Sequence, residues 1–548
     1  MLSGNYYCVI VITERYAMSR TAQWQGAPPA PPAGSASTFS ALWDRARERH
    51  STRPFLIFQN EDDAVSSWTY GEFDRAVDAV IVRLREAGVG AGDGIHLCLR
   101  NCPAFVAIWL AAARLGAWIV PVDPTAAGRE IRQQLARTGA RLGVYGRSRG
   151  AVYRSGTEAF DGPLWELEES ARDIDGWLTG DTVAGSKTAP GERDRLAIMF
   201  TSGTTSQPKG VVLTQRNYHC VAVTMAEAAR LRPEHRWFVT LPLFHGNAQY
   251  YCFASAIAVG ASVALTAGFS ASRWVSDAIA VEATHASLFA APMRMILART
   301  PAQQRPARLE HVWFAQNLGA EHHRQFAELA GVTPRQLYGM TETVPVVTYD
   351  RSAEPVHDLI GHPVPGRIAR LVRGASLEPV PTGETGMIAV AGRRGDDLFA
   401  EYLDDPEATA RTLVQDDEGV DWLLTGDLAV DDGARGWRFV GRNDDVIKVA
   451  GENVSLTEVE AALAQAPGVL EAAVVAQDDP IRDRVPVAYV VPRDEASPPD
   501  LAALEVWATQ HLAKAARPRE WHVIAELPRT SVGKVRRFKL DTPTNGEH

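Results

Sequence analysis

The run Thr201-Ser202-Gly203-Thr204-Thr205-Ser206-Gln207-Pro208-Lys209-Gly210 follows an apolar stretch, Leu196 to Thr201, that reads as a strand. Glycine lets a backbone approach oxyanions closely, exposed N–H groups and hydroxyls donate hydrogen bonds, and one lysine supplies a point charge. The chemistry this favours is the handling of a polyphosphate. It is not a Walker A loop, because Pro208 stands where the second glycine belongs and Gly210 replaces the Ser/Thr after the lysine.

Four more clusters follow in order: Tyr338-Gly339-Met340-Thr341-Glu342-Thr343, Leu424-Thr425-Gly426-Asp427, Gly441-Arg442-Asn443-Asp444-Asp445, and Pro528-Arg529-Thr530-Ser531-Val532-Gly533-Lys534. An aromatic face suits a purine, a carboxylate suits a hard cation bridging phosphates, and an acceptor-only aspartate suits a pair of hydroxyls. Carrying all five motifs, the chain from about residue 40 onward resembles the adenylate-forming superfamily of acyl-CoA synthetases, peptide-synthetase adenylation domains and luciferases, the AMP-binding enzymes. Ser206, the segment Gly451-Glu452-Asn453-Val454-Ser455 and Ile481-Arg482-Asp483 bring it nearest to the carnitine and crotonobetaine CoA ligases.

The resemblance implies roles. Thr201, Ser202, Gly203, Thr204, Thr205 and Lys209 would hold the phosphates of ATP, Tyr338 would pack on adenine, Thr341 would bond phosphate and Glu342 would hold Mg²⁺. Asp427 would accept from the ribose hydroxyls with help from Arg442, and Asp444 would be the hinge on which a small C-terminal domain pivots. Lys534 would contact both the substrate carboxylate and the α-phosphate, where an ammonium offsets repulsion between two anions. His245, within Leu241 to Tyr250, would gate the acyl pocket, and Gly451 would let the pantetheine of CoA pass.

The implied reaction is ATP-dependent adenylation of a small carboxylic acid, with release of pyrophosphate and transfer of the acyl group to CoA. The alternatives are transfer to a carrier protein or an amine, including diazotisation of an aromatic amine with activated nitrite. Asn247, Gln249 and Tyr250 add polarity to the presumed pocket, so a short, polar or aromatic acid is expected over a fatty acid.

These residues need a scaffold. Thr69 to Ala87 and Ala104 to Leu115 carry helical patterns, while Ile95 to Leu99 and Trp118 to Val122 read as buried strands, so strand and helix alternate as in an α/β fold with parallel strands. The polar stretch Thr179 to Asp194 reads as a surface loop separating two subdomains. Beyond Arg442 the pattern becomes a helix at Leu456–Ala464, strands at Ala472–Val475 and Val487–Val491, and a helix at Leu501–Ala513, a small α+β unit. The expected division is an irregular Pro/Gly/Ser-rich leader at 1–38, a large AMP-binding domain of stacked α/β subdomains at 39–441, and a small mobile domain at 442–548.

Composition narrows the field. A net charge of −10 without an extended basic run argues against nucleic acid as a partner. Five cysteines with no CxxC pair point to neither a zinc knuckle nor a disulfide framework, so a reducing, cytoplasmic setting is expected. No stretch approaches the ~20 apolar residues of a membrane span.

Overall fold

The structure is a computed structural model that describes residues 37–178, 189–201, 208–479, 482–494, 496–528 and 535–540, with the backbone only for Asp444, Asn453 and Phe538. Two large mixed sheets carry most of the chain. In the seven-stranded sheet the order is Glu401–Tyr402, Lys209–Thr214, Arg195–Thr201, Trp118–Pro121, Gly94–Cys98, Leu142–Gly146 and Leu164–Leu167. The nine-stranded sheet runs from His362–Pro363 and Thr348–Tyr349 through Arg335–Tyr338, His311–Ala315, His285–Phe289 and Arg236–Val239 to Ser262–Thr266, Pro54–Gln59 and Val65–Thr69.

Local signals set the elements. Thr69 starts the helix Tyr70–Glu86 with a reciprocal capping box, its hydroxyl accepting from Glu72 N–H while Glu72 accepts from the Thr69 N–H. The helix Pro103–Leu115 opens on proline and ends at Gly116 in the left-handed conformation, and every residue in it is buried. A helix apolar on all sides belongs inside, and this one packs within the core that joins both sheets.

The strand before the phosphate-type loop lies parallel to Trp118–Pro121, with Ile119 opposite Ala197. Strands on both sides of the polar stretch Thr179 to Asp194 therefore belong to one sheet, and that stretch does not separate subdomains. Its composition marks a surface segment but says nothing about which strands pair across it.

A third sheet holds Ala369–Val372, Thr385–Gly392, Asp421–Asp431, Leu413–Gln415 and Trp437–Arg442. The chain leaves it through a single 3₁₀ turn, Asn443–Asp445, and enters a fourth sheet built from Val446–Val449, Glu452–Ser455, Val469–Asp479, Asp483–Pro492 and Glu520–Val523. The helices Leu456–Leu463 and Leu501–His511 cover that sheet around their own apolar cluster. No helix among the described residues is long and apolar enough to cross a membrane.

Candidate functional site

Thr201 and Lys209 face each other as the last register pair of an antiparallel hairpin, so the glycine- and hydroxyl-rich loop springs from a fixed base. Ser202, Gly203, Thr204 and Thr205 lie outside the described residues. Lys209 Nζ sits 4.7 Å over the ring of Tyr402, which the register places beside the Lys209 strand, Tyr402 opposite Val211.

The same Tyr402 donates its hydroxyl hydrogen to Glu342 Oε1 at 2.9 Å. Glu342 is only 5% exposed and stands in a 3₁₀ turn, Thr341–Thr343, at the end of the strand Arg335–Tyr338. The half-buried Arg367 pins this turn by donating to the Thr343 carbonyl at 2.6 Å, and Phe399 N–H donates to the Glu342 carbonyl at 3.0 Å. Val344, a β-branched residue, follows at φ +60° and ψ −83°. A conformation of that kind costs about 1–3 kcal/mol and persists only where the surroundings enforce it. Strain thus sits two residues beyond Glu342, at the end of the turn that carries the residues expected to meet phosphate and metal.

On the other side, Tyr338 OH donates to Asp427 Oδ2 at 2.7 Å, and Arg442 Nε lies 3.4 Å from Asp427 Oδ1. Asp427 and Arg442 are register partners on adjacent strands, and Gly426 reaches the aspartate through a positive φ of 74°. Burial first, and then the Asp427 charge, hold the Tyr338 phenol well above its ordinary pKa, so it stays a donor. The ring of Phe439 lies 5.9 Å from that of Tyr338. Tyr338, Asp427 and Arg442 thus meet although 104 positions of chain separate the first from the last (442 − 338).

His245 precedes an unusual element, a π-helix over Asn247–Ala254. Asn101 fixes the approach, donating to the Leu241 carbonyl and accepting from Leu243 N–H. Long π-helical runs are rare and frequent at functional sites. Within this one, Gln249 is fully buried between the Tyr218 hydroxyl and the Leu243 carbonyl, and Tyr250 is buried with its hydroxyl on Met199 Sδ. Both are satisfied core residues, and neither adds polarity to a pocket. Their neighbours turn elsewhere: Asn247 donates to Ser287, and the Tyr251 hydroxyl lies beside Gly339.

Gly451 forms the tip of the hairpin between Val446–Val449 and Glu452–Ser455, with Ala450 at φ +51° and Gly451 at φ +88°. Two consecutive positive φ values suit the tight turn that matches strand twist. A side chain started on Gly451 would meet no atom within 4 Å. The backbone of Asp444 lies in the turn linking the third and fourth sheets, and Lys534 lies outside the described residues. The chain flanking Lys534 is tied where Arg536 N–H donates to the Pro528 carbonyl at 2.7 Å.

Tyr402, Phe439 and Tyr251 had no sequence signal. A lone aromatic in an unmotivated stretch looks like any core residue until its neighbours are known.

The model for AMP-binding enzymes matches residues 42–403, and that for the AMP-binding enzyme C-terminal domain matches residues 458–534. The chain belongs to the AMP-binding enzyme family. A crotonobetaine/carnitine–CoA ligase of Proteus mirabilis is 30% identical over 507 residues, covering 90% of this chain and 97% of that protein. Among solved structures, an anthranilate CoA ligase in complex with anthranoyl-AMP superposes with a TM-score of 0.82 at 24% identity, covering 92% of this chain and 96% of that one. A benzoate CoA ligase from Burkholderia xenovorans gives 0.81 at 23% identity, covering 92% and 100%. This AMP-binding enzyme therefore has the family's mixed α/β architecture, with a large N-terminal part and a smaller C-terminal one.

Proposed function

We propose that this AMP-binding enzyme adenylates a small carboxylic acid with ATP, releases pyrophosphate, and passes the acyl group to the thiol of CoA. The observation that carries the reading is the convergence of Tyr338, Asp427 and Arg442 with the Glu342–Tyr402–Lys209 cluster across strands from different sheets. One side offers a ring and an acceptor carboxylate for adenine and ribose, and the other a lysine and a carboxylate for phosphates. The relatives named above are CoA ligases, which supports CoA as acceptor.

A carboxylate is a poor acyl donor because oxide does not leave. Attack of a substrate oxygen on the α-phosphorus expels pyrophosphate and forms a mixed anhydride that a thiol can open. Residues of this chain contribute position and charge rather than covalent chemistry. Lys209 and Thr201 flank the phosphate loop, Thr341 meets phosphate, and Lys534 neutralises the two approaching anions.

No cluster of three or more metal-type ligands occurs among the described residues, which fits a magnesium ion that arrives with the nucleotide and needs one protein carboxylate. Glu342, oriented by Tyr402, is the residue to hold it, and the ion when bound would neutralise charge on the departing pyrophosphate. We place the boundary between the nucleotide-binding and mobile domains at 441/442, with Asp444 as hinge, Gly451 in the CoA passage and His245 as the gate to the acyl pocket.

The test is pyrophosphate release over a panel of acids, with products identified by mass in the presence of CoA, a carrier protein, or nitrite plus aminophenols. An acyl-CoA establishes the reading. Acyl transfer only to a carrier protein or amine overturns its CoA half, and pyrophosphate released only with nitrite overturns the reading as a whole.

A further inference from the structure

Beside the Thr341–Glu342 turn, contacts from three elements close into a ring. Asn247, the first residue of the π-helix, donates from Nδ2 to Ser287 Oγ at 2.9 Å. Ser287, on the strand His285–Phe289, is the register partner of Trp313 on the next strand. Trp313 meets Tyr251 edge-on, with ring centroids 6.4 Å apart and planes at 74°. Tyr251 returns to the π-helix four residues after Asn247. Its hydroxyl lies 2.8 Å from where a side chain on Gly339 would begin, so glycine at 339 is what admits the phenol next to the catalytic turn.

Two polar atoms of this ring are buried with no hydrogen-bond partner among the described residues, Asn247 Oδ1 and Trp313 Nε1. Leaving such atoms unpaired costs about 1–3 kcal/mol each, and an unpaired buried group in a native site calls for an explanation. Ser287 accounts for the amide nitrogen of Asn247 and leaves its oxygen turned elsewhere. Gln249 and Tyr250, on the same helix, have their polar atoms paired, so the unpaired oxygen is particular to Asn247. Trp313 is fully buried, with its ring packed against those of Trp237 and His311.

We infer that the acid this enzyme adenylates carries a hydroxyl or amino group, and that this group donates to Asn247 Oδ1 beside Trp313. Asn247 is then a specificity-determining residue and Ser287 a positioning residue acting through it. The inference rests on the adenylation reading and adds the class of acid.

The experiment measures kcat/KM for pyrophosphate release with matched acids: butanoate against 3- and 4-hydroxybutanoate, and benzoate against its hydroxy and amino derivatives. The wild type should favour at least one substituted acid over its parent by about tenfold, the scale of one hydrogen bond to a site built for it. In Asn247→Leu that ratio should fall to about one, chiefly through KM, and Ser287→Ala should lower it part-way if the leucine variant folds poorly. An active wild type without such a preference, or one whose preference survives in Asn247→Leu, overturns the inference alone. A wild type that ATP still stabilises against heat, yet that releases pyrophosphate with no carboxylic acid, overturns the adenylation reading and the inference with it.

Discussion

Tyr402 donates to Glu342 Oε1 at 2.9 Å while Lys209 Nζ rests 4.7 Å over the same ring. One side chain thereby sets the direction of the metal-type carboxylate and the place of the phosphate-loop lysine. Burial first, and next the Glu342 charge, push the Tyr402 phenol far up, so it remains a donor throughout the working range.

Tyr402→Phe removes the hydrogen bond and keeps the ring. Because a hydrogen bond to a charged group contributes about 1.5–3 kcal/mol, adenylation should fall by roughly 10–100-fold, and the Mg²⁺ titration should shift to higher concentration. Tyr402→Leu should also raise the dissociation constant of metal-free ATP, which calorimetry reads without turnover. Equal metal-free ATP binding in the two variants would remove the ring from the account.

Lys534→Ala should lower adenylate formation by roughly 10²–10³-fold, the range seen when a preorganised charge donor is lost. Nucleotide binding, measured separately, should stay near the wild-type value because Tyr338, Asp427 and Arg442 are untouched. Normal pyrophosphate release would refute the role.

Gly451→Leu probes the second half-reaction. In the present arrangement a β-carbon at this position meets nothing within 4 Å, although φ +88° disfavours any side chain by about 1 kcal/mol. Pyrophosphate release in a single turnover should therefore persist, whereas transfer from preformed adenylate to CoA should stop. Full transfer in this variant would mean that the thiol enters by another path.

Acid should destabilise the fold through buried neutral histidines. His96 is fully buried between Tyr153 and Gln134, and burial holds its pKa down to about 4. Burial first, and then His235, hold His285 down to about 3. Since the unfolded chain takes up these protons near 6.5, stability is intact above that pH and drains away as pH falls toward the folded values. Between pH 6.5 and 4.5 the wild type should lose about 2–3 kcal/mol more than His96→Gln in urea unfolding. Parallel pH curves for the two proteins would contradict this.

What the sequence determined by itself was the chemistry and the local elements. Helix boundaries such as Thr69 before Tyr70–Glu86 were legible because caps and apolar periodicity act within a few residues. Tyr338, Thr341, Glu342, Asp427 and Arg442 were legible because they stand in ordered motifs. The pairing of strands across Thr179 to Asp194 was not, because sheet order depends on contacts between distant segments. Nor was the sorting of Gln249 and Tyr250 into the core while Asn247 turns to Ser287 and Tyr251 to Gly339. That division follows from a π-helix, whose wider turn shifts which residues share a face, and from partners on strands far away in the chain. Tyr402 belongs to the same class: its meaning exists only where tertiary packing brings Glu342 and Lys209 to opposite sides of one ring.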